Sequence, residues 1–193
     1  MHTVLIRHFI CDDVPLRAGL LRDGGFQANL TDFAVSAQDD RLVADQLATI
    51  AQGQDVKRIF TLCTDGGQVV GFAWITDIDW PSRSCELSFA VLPRFRIGFG
   101  LAVAHEAQRY LHDELNMATV ISQVLTHNTM LHKADLVARR RQVRCAYDSY
   151  TVGEWRTSCY WGQTRAQFAS EAARFLARRR ERRERIRATV SSA

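Results

Sequence analysis

Between Ser84 and Leu125 the chain reads strand, glycine turn, helix and strand, and this stretch constrains the fold more than any other. Residues 84–92 are predominantly apolar and end at Pro93. The turn Arg96-Ile97-Gly98-Phe99-Gly100 follows, and beyond it Leu101, Ala104, Ala107, Gln108, Leu111 and Leu115 trace a stripe at helical spacing. Residues 118–125, ATVISQVL, are rich in β-branched residues and free of breakers, the pattern of a buried strand. Together these segments make a β-α-β unit, so this part of the sheet is parallel.

The flanking segments add antiparallel strands. Residues 3–10, TVLIRHFI, predict a first strand. Asp12 or Asp13 then caps a helix with Pro15 in its first turn, closed by Asp23-Gly24-Gly25. Residues 39–52 place Leu42, Val43, Leu47 and Ile50 on one helical face, with Gly53 just beyond. Strands at 58–63, 69–77 and 84–92 form a meander, the first two joined by Asp65-Gly66-Gly67. His127-Asn128-Thr129 caps a short helix, and 143–152 with 155–161 read as a closing hairpin around Gly153. The expected fold is α/β: a mixed, twisted sheet of about seven strands flanked by helices. It occupies residues 1–164 and is followed by an arginine-rich helix or tail at 165–193.

Composition narrows the function classes. The chain has 193 residues with 47% hydrophobic and 24% charged, an ordinary globular balance that excludes collagen-like, solenoid and wholly disordered architectures. No window approaches the roughly 18 to 20 uninterrupted apolar residues of a membrane helix, so no membrane partner is expected. The opening MHTVLIRHF lacks a secretory pattern, which makes the cytoplasm the expected location. Cys11, Cys63, Cys85, Cys145 and Cys159 are widely spaced and never form C-x-x-C, so they are expected as reduced, mostly packed thiols. Charge is unevenly placed. Residues 165–193 hold nine arginines against three glutamates, a net of +6, whereas residues 1–164 hold 16 basic and 18 acidic groups, a net of −2.

The glycine turn before a helix offers unpaired backbone N–H groups and a positive dipole end to a phosphate. Arg94 and Arg96 add charge at the same mouth. The residues from Cys85 to Leu101 (CELSFAVLPRFRIGFGL), the segment Val124-Leu125-Thr126-His127-Asn128-Thr129, and the hairpin from Tyr147 to Tyr160 resemble the GNAT superfamily of N-acyltransferases. Within it the chain is similar to the branch that acetylates ribosomal-protein N-termini. The resemblance runs from about Thr3 to Phe168. It implies that the fourth and fifth strands splay apart around the pantetheine arm of acetyl-CoA, the implied cosubstrate. It further implies that Val91 and Leu92 offer backbone contacts to that arm and that Arg94, Arg96, Ile97, Gly98, Phe99, Gly100 and Leu101 hold the pyrophosphate. Asn128 then contacts the cofactor arm, and Glu86 matches the position of a general base. Read without the family, Glu86 is equally an inward carboxylate bonded to backbone or to an arginine.

The implied acceptor is an amine-bearing small molecule or a peptide N-terminus. The acid that protonates the leaving thiolate is unassigned, with His132 and Tyr160 as candidates. Phe95 stands where the family loop usually has Arg or Gln, and the helix after Asn128 reads about one turn short. These features, with Arg139, Arg140, Arg141 and Arg144 and the basic tail, motivate a second reading in which aminoacyl-tRNA is acyl donor or acceptor. A third is a catalytically silent binding module, and a homodimer is left open. No metal site is expected, because His105-Glu106 begins H-E-x-x-H but its fifth position is Arg109, leaving a solvent-facing pair. No G-x-S-x-G elbow or Walker loop occurs. Trp74, Trp80, Trp155 and Trp161 are expected to pack on the sheet. Asp77 and Asp79, beside Trp80, read as a solvated turn or as an attractor for a cationic amine.

Overall fold

The strands are β1 (Val4–His8), β2 (Arg58–Thr64), β3 (Val69–Asp79), β4 (Ser84–Val91), β5 (Thr119–Leu125), β6 (Val143–Thr151) and β7 (Glu154–Thr164). The helices are α1 (Val14–Arg22), the single turn α2 (Gly24–Gln27), α3 (Asp39–Ala51), α4 (Arg96–Asp113) and α5, residues 165–174. The computed structural model describes residues 3–29, 39–128, 142–151, 153–174, 177, 181 and 184. The seven strands form one sheet in the order β1-β2-β3-β4-β5-β7-β6. β1 to β4 run antiparallel, β4 and β5 are parallel, and β5, β7 and β6 are again antiparallel. The mixed sheet, the meander and the β-α-β unit are therefore present as expected. No helix among the described residues is long and apolar enough to cross a membrane.

Alternation along the strands assigns each face its helices. On one face Ala102, Val103, Ala107 and Leu111 of α4 pack on Phe60, Leu62, Ile75, Cys85, Leu87 and Val120. On the other, Leu20, Leu21 and Leu42 from α1 and α3 cover Ile59, Phe72, Trp74 and Ala90. Two apolar stripes are rotated from their expected phase. Leu101 is 44% exposed and Leu47 42% exposed, while Val103, Gln46 and Thr49 point inward. Gln46 is buried because it accepts from Arg17 Nη1 at 3.1 Å and donates to Leu42 O at 3.2 Å.

Asp13 precedes α1 but does not cap it. Its carboxylate turns back to the sheet, accepting from Arg7 at 2.7 and 2.8 Å, Thr61 Oγ1 at 2.8 Å and the Ile10 N–H at 3.1 Å. Arg7 and Thr61 are cross-strand partners, so one rung of β1 and β2 aims both donors at it. Burial pushes the Asp13 carboxyl up, but these donors outweigh it and hold the group below its ordinary value. A depressed folded pKa contributes stability that is complete above about pH 4 and is lost as pH falls through the folded value. Asp13→Asn is expected to cost about 1–3 kcal/mol at neutral pH. It should also flatten the decline of the melting temperature below pH 4. Thermal melts across that range check this, and an unchanged acid limb would show that the pH dependence arises elsewhere.

Packing decides several other positions. His105 is not solvent-facing: its ring lies 5.2 Å from Phe168 of α5, which also meets the His112 ring at 5.3 Å. Burial lowers the pKa of both histidines. Trp74 and Trp161 are buried, but Trp155 is 61% exposed beside Tyr150 on the edge hairpin. All five cysteines are free, and Cys63, Cys85 and Cys159 are buried.

Candidate active site

The parallel pairing of β4 with β5 covers only Ser84 with Thr119, Cys85 with Val120 and Glu86 with Ile121. Beyond that rung each strand follows its other neighbour. β4 stays paired with β3 to the Gly71–Val91 rung, and β5 stays paired with β7 to Leu125–Ser158. The two strands therefore part after Glu86 and leave a cleft in the middle of the sheet. In an antiparallel ladder successive residues turn their backbone groups to alternate sides. The Leu92 N–H bonds Val70 O at 2.9 Å and its carbonyl accepts from the Phe95 N–H at 2.8 Å, so Leu92 is committed. Val91, one residue earlier, turns its backbone groups toward the cleft. Of the two residues expected to receive an extended arm, the geometry favours Val91.

The mouth of the cleft is built by the glycine turn. Pro93–Phe95 make one 3-10 turn, and α4 is interrupted at Ile97 (φ −81°, ψ 111°) and Gly98 (φ 99°, ψ −25°). The continuous helix thus begins at Phe99. A positive φ is inexpensive only for glycine, which explains Gly98. Ile97 is 97% exposed, and a Cβ placed on Gly100 would meet nothing within 4 Å, so this side of the turn is open. Phe95, which precedes Arg96, makes no side-chain cap. The first-turn N–H groups, with the dipole behind them, suit an anion. The Phe95 and Phe99 rings brace the turn at 5.3 Å, and Arg94 lies over Phe95 at 4.9 Å. Arg96 meets Asp23 at 3.6 Å, in a half-exposed pair that a phosphate can replace. Leu101 sits in the first helical turn with its side chain outward. The residues present thus fit a pyrophosphate and an extended arm.

Glu86 stands on the last rung shared by β4 and β5, half-buried, on the face opposite α4. Its charge reaches Tyr160 on β7. Burial, with Glu86 adding to it, pushes the neighbouring Cys85 thiol up to about 12. The same face carries a polar array that periodicity does not reveal. Gln123 Nε2 lies 2.7 Å from Ser149 Oγ, 3.1 Å from Ser158 Oγ, and in contact with Tyr160 Oη. The Tyr160 hydroxyl donates to Asp148 Oδ2 at 2.7 Å, while Asp148 Oδ1 accepts the Ser158 N–H at 3.1 Å. Burial first, then Asp148 and Glu86, hold the Tyr160 phenol above its ordinary range. The one sequence cue to this array was a glutamine inside the β-branched run of β5.

At the open end of the cleft, Asn128 is half-buried and closes the turn after β5 through its N–H to Leu125 O at 2.9 Å. His127 Nε2 reaches Ala28 O at 2.7 Å, and Thr151 Oγ1 reaches Gln27 O at 3.3 Å, which ties the end of α2 over this region. His132, Arg139, Arg140 and Arg141 lie outside the described residues, as does most of the tail beyond Arg174. Arg144 is exposed on β6. Asp77, Asp79 and Trp80 are at the opposite end of β4 from the glycine turn, roughly 23 Å away along the strand. There Trp80 donates to Asp55 O at 3.0 Å and Asp79 accepts from the Ser82 N–H at 2.9 Å. Asp77 is exposed and follows Thr76, the β3 partner of Glu86. Among the described residues no group of three His, Cys, Asp or Glu converges on a metal position.

A cleft between two parting parallel strands, with a glycine-opened helix start at its mouth, is the arrangement that the resemblance to N-acyltransferases implies. The chain belongs to the GNAT acetyltransferase domain family, whose model matches residues 4–134. No curated protein matches it. Among solved structures it is similar to the spermidine N-acetyltransferase of Vibrio cholerae in complex with CoA and spermine. The identity is 14% and the TM-score 0.74, over 86% of this chain and 98% of that one. It is also similar to the Vibrio cholerae spermidine/spermine N-acetyltransferase SpeG in complex with manganese ions, at 14% identity and TM-score 0.70, over 88% and 96% of the two chains. The match establishes the superfamily and does not show the ribosomal-protein branch.

Proposed function

We propose that this enzyme moves the acetyl group of acetyl-CoA directly to a primary amine of a small cationic acceptor. The observation that carries the reading is the cleft that opens immediately beyond Glu86. The turn from Arg94 to Leu101 would hold the pyrophosphate, and Val91 and Asn128 would hold the arm that runs into the cleft. When bound, acetyl-CoA supplies a thioester carbonyl carbon open to attack. Glu86 takes a proton from the acceptor ammonium, directly or through water. The amine nitrogen bonds to the carbonyl carbon, the carbon–sulfur bond breaks, and the sulfur takes up a proton while the nitrogen loses its second. Cys85, adjacent in sequence, faces the other side and stays a thiol because its pKa is raised to about 12. It is therefore no relay for the acyl group, and sequential rather than ping-pong kinetics are expected.

The acceptor is argued from charge. Glu86 and Asp148 share one face, and the body of the chain is slightly acidic, which favours a cation. The solved relatives named for spermidine point the same way. The aminoacyl-tRNA alternative draws on basic segments that lie largely outside the described residues, and no described feature of the cleft favours it.

Acetyl-CoA is expected to raise the melting temperature, and CoA thiol should appear only when an amine is present. Spermidine, a peptide with a free N-terminus and total aminoacyl-tRNA serve as competing acceptors. Thiol release with none of them would overturn the reading, and acyl exchange with tRNA alone would replace it. Gly98→Ala places a Cβ at φ 99° and is expected to weaken CoA binding by roughly tenfold, about 1.4 kcal/mol. Calorimetry with CoA checks this, and unchanged affinity would separate the turn from the cofactor.

A further inference from the structure

The array on β5, β6 and β7 lies on the face of Glu86 but has no part in the reaction as described above. We propose that Tyr160 receives the acceptor amine, its hydroxyl proton being committed to Asp148 so that a lone pair is presented to an N–H of the substrate. The proposal rests on the acetyltransferase reading and adds a substrate-touching residue to it.

Position comes first. Glu86 pairs with Ile121, and Ile121 faces Gly162 on β7. That rung therefore carries no β7 side chain, and a Cβ built on Gly162 would meet only Thr119 Cγ2, at 3.5 Å. Two residues further along β5, toward the open end of the cleft, Gln123 faces Tyr160. Two residues of strand are roughly 7 Å. The phenol thus stands one strand over from the cleft and above an unfilled rung, where an amine approaching Glu86 passes.

Hydrogen-bond accounting then sets its polarity. A tyrosine hydroxyl has one proton and two lone pairs. The proton goes to Asp148 Oδ2 at 2.7 Å, and Asp148 is itself fixed by the Ser158 N–H at 3.1 Å. Gln123 Nε2 has two protons for three oxygens, Ser149, Ser158 and Tyr160, so it fills at most one of the two phenol lone pairs, and the Ser149 hydroxyl, whose proximity pulls the phenol's pKa down, is bonded at 2.7 Å to Ser158 Oγ rather than to the phenol. Ser149 and Ser158 are buried and bonded to each other at 2.7 Å, which holds the array rigid. Tyr160 is only half-buried, so its remaining lone pair is within reach of a ligand. With its proton on a carboxylate, the oxygen recognises donors. An amine or ammonium N–H matches it, and the contact would orient the nitrogen beside Glu86. This assigns Tyr160 a role other than acid to the thiolate, since its proton points away from the cleft toward the sheet edge.

The test is steady-state kinetics with the best acceptor among spermidine, butylamine and a peptide N-terminus. Tyr160→Phe is expected to lower kcat/KM for that amine about 10- to 100-fold while leaving the CoA-induced thermal shift intact. Asp148→Ala should lower it about tenfold. Asp148→Asn, which keeps an accepting oxygen, should return to within about threefold of the wild type. The double variant Tyr160→Phe/Asp148→Ala should be no worse than Tyr160→Phe alone, because Asp148 acts through the phenol. A merely structural array predicts instead that the losses multiply and that CoA binding falls with them. Tyr160→Phe within twofold of wild-type kcat/KM overturns the proposal, as does equal loss from Asp148→Asn and Asp148→Ala. If Tyr160→Phe fails to bind CoA, the exposed Asp148 pair decides by itself. A wild type that acetylates no amine overturns the acetyltransferase reading and this one together, whereas an active wild type with an indifferent Tyr160 overturns only this one.

Discussion

Gly71→Ala is expected to destabilise the protein more than any other single methyl addition considered. Gly71 sits on β3 opposite Val91, and a Cβ there would lie 2.2 Å from the Ala90 carbonyl oxygen and 3.2 Å from both the Ala90 carbonyl carbon and the Val91 Cα. All three atoms belong to the backbone, so no side-chain rotation relieves the clash. Either β3 and β4 separate at this rung or residues 90 and 91 move into the cleft. Overpacking of this kind costs about 3 kcal/mol or more, which for a chain of this size lowers the melting temperature by roughly 6–12 °C. CoA binding should fall further than stability does, because the displaced residue is the one that lines the cleft. Gly19→Ala in α1 is the control: nothing lies within 4 Å of its Cβ, and helix propensity predicts a gain of up to about 1 kcal/mol. A melting temperature for Gly71→Ala within about 2 °C of wild type would mean that the strands are wider apart here than the geometry states.

Glu86→Gln is expected to lower kcat/KM by roughly 10² to 10⁴ fold with CoA affinity unchanged, the range for removing a general base. The substitution preserves shape and the rung to Ile121, so a loss of turnover with an unaltered melting curve isolates the proton transfer. Acceptors whose ammonium has a lower pKa should recover part of the rate, since they reach the site already deprotonated. Full activity across pH in the glutamine variant would remove Glu86 from the reaction and return it to the role of an inward polar residue.

The two predictions differ in how far each was legible before the structure. Glu86 is conspicuous as a carboxylate in an apolar strand, and the β-α-β period placed it before the glycine turn correctly. Gly71 carried no such mark, because what makes it necessary is the distance to a carbonyl on the neighbouring strand. Helical spacing puts Leu101 and Leu47 on the apolar stripes of their helices, yet both lie outward. A helical period defines a stripe, but its phase is set by the sheet it covers, here through Val103, Ala107 and Leu111 on one side and Leu42, Gln46 and Thr49 on the other. His105, read as solvent-facing, is half-covered because Phe168 returns across α4.

The polar array on β5, β6 and β7 shows the same division most clearly. Gln123, Asp148, Ser149, Ser158 and Tyr160 come from three strands, and Gln123 reaches partners 26, 35 and 37 residues away in sequence. No local pattern joins them. Leu92 and Val91 are adjacent and equally apolar, yet the ladder to Val70 commits one and turns the other toward the cleft.

By itself the sequence determined the order of strands and helices, the parallel crossover, the glycine that permits a positive φ, and a carboxylate on the strand before it. These are properties of short segments, decided by backbone sterics and by the period of apolar residues. Only the tertiary structure decided where β4 and β5 part, which of two neighbouring residues faces the opening, and which polar side chains share its face. Those depend on hydrogen bonds between strands distant in the chain, whose register emerges only when every strand has chosen its neighbours.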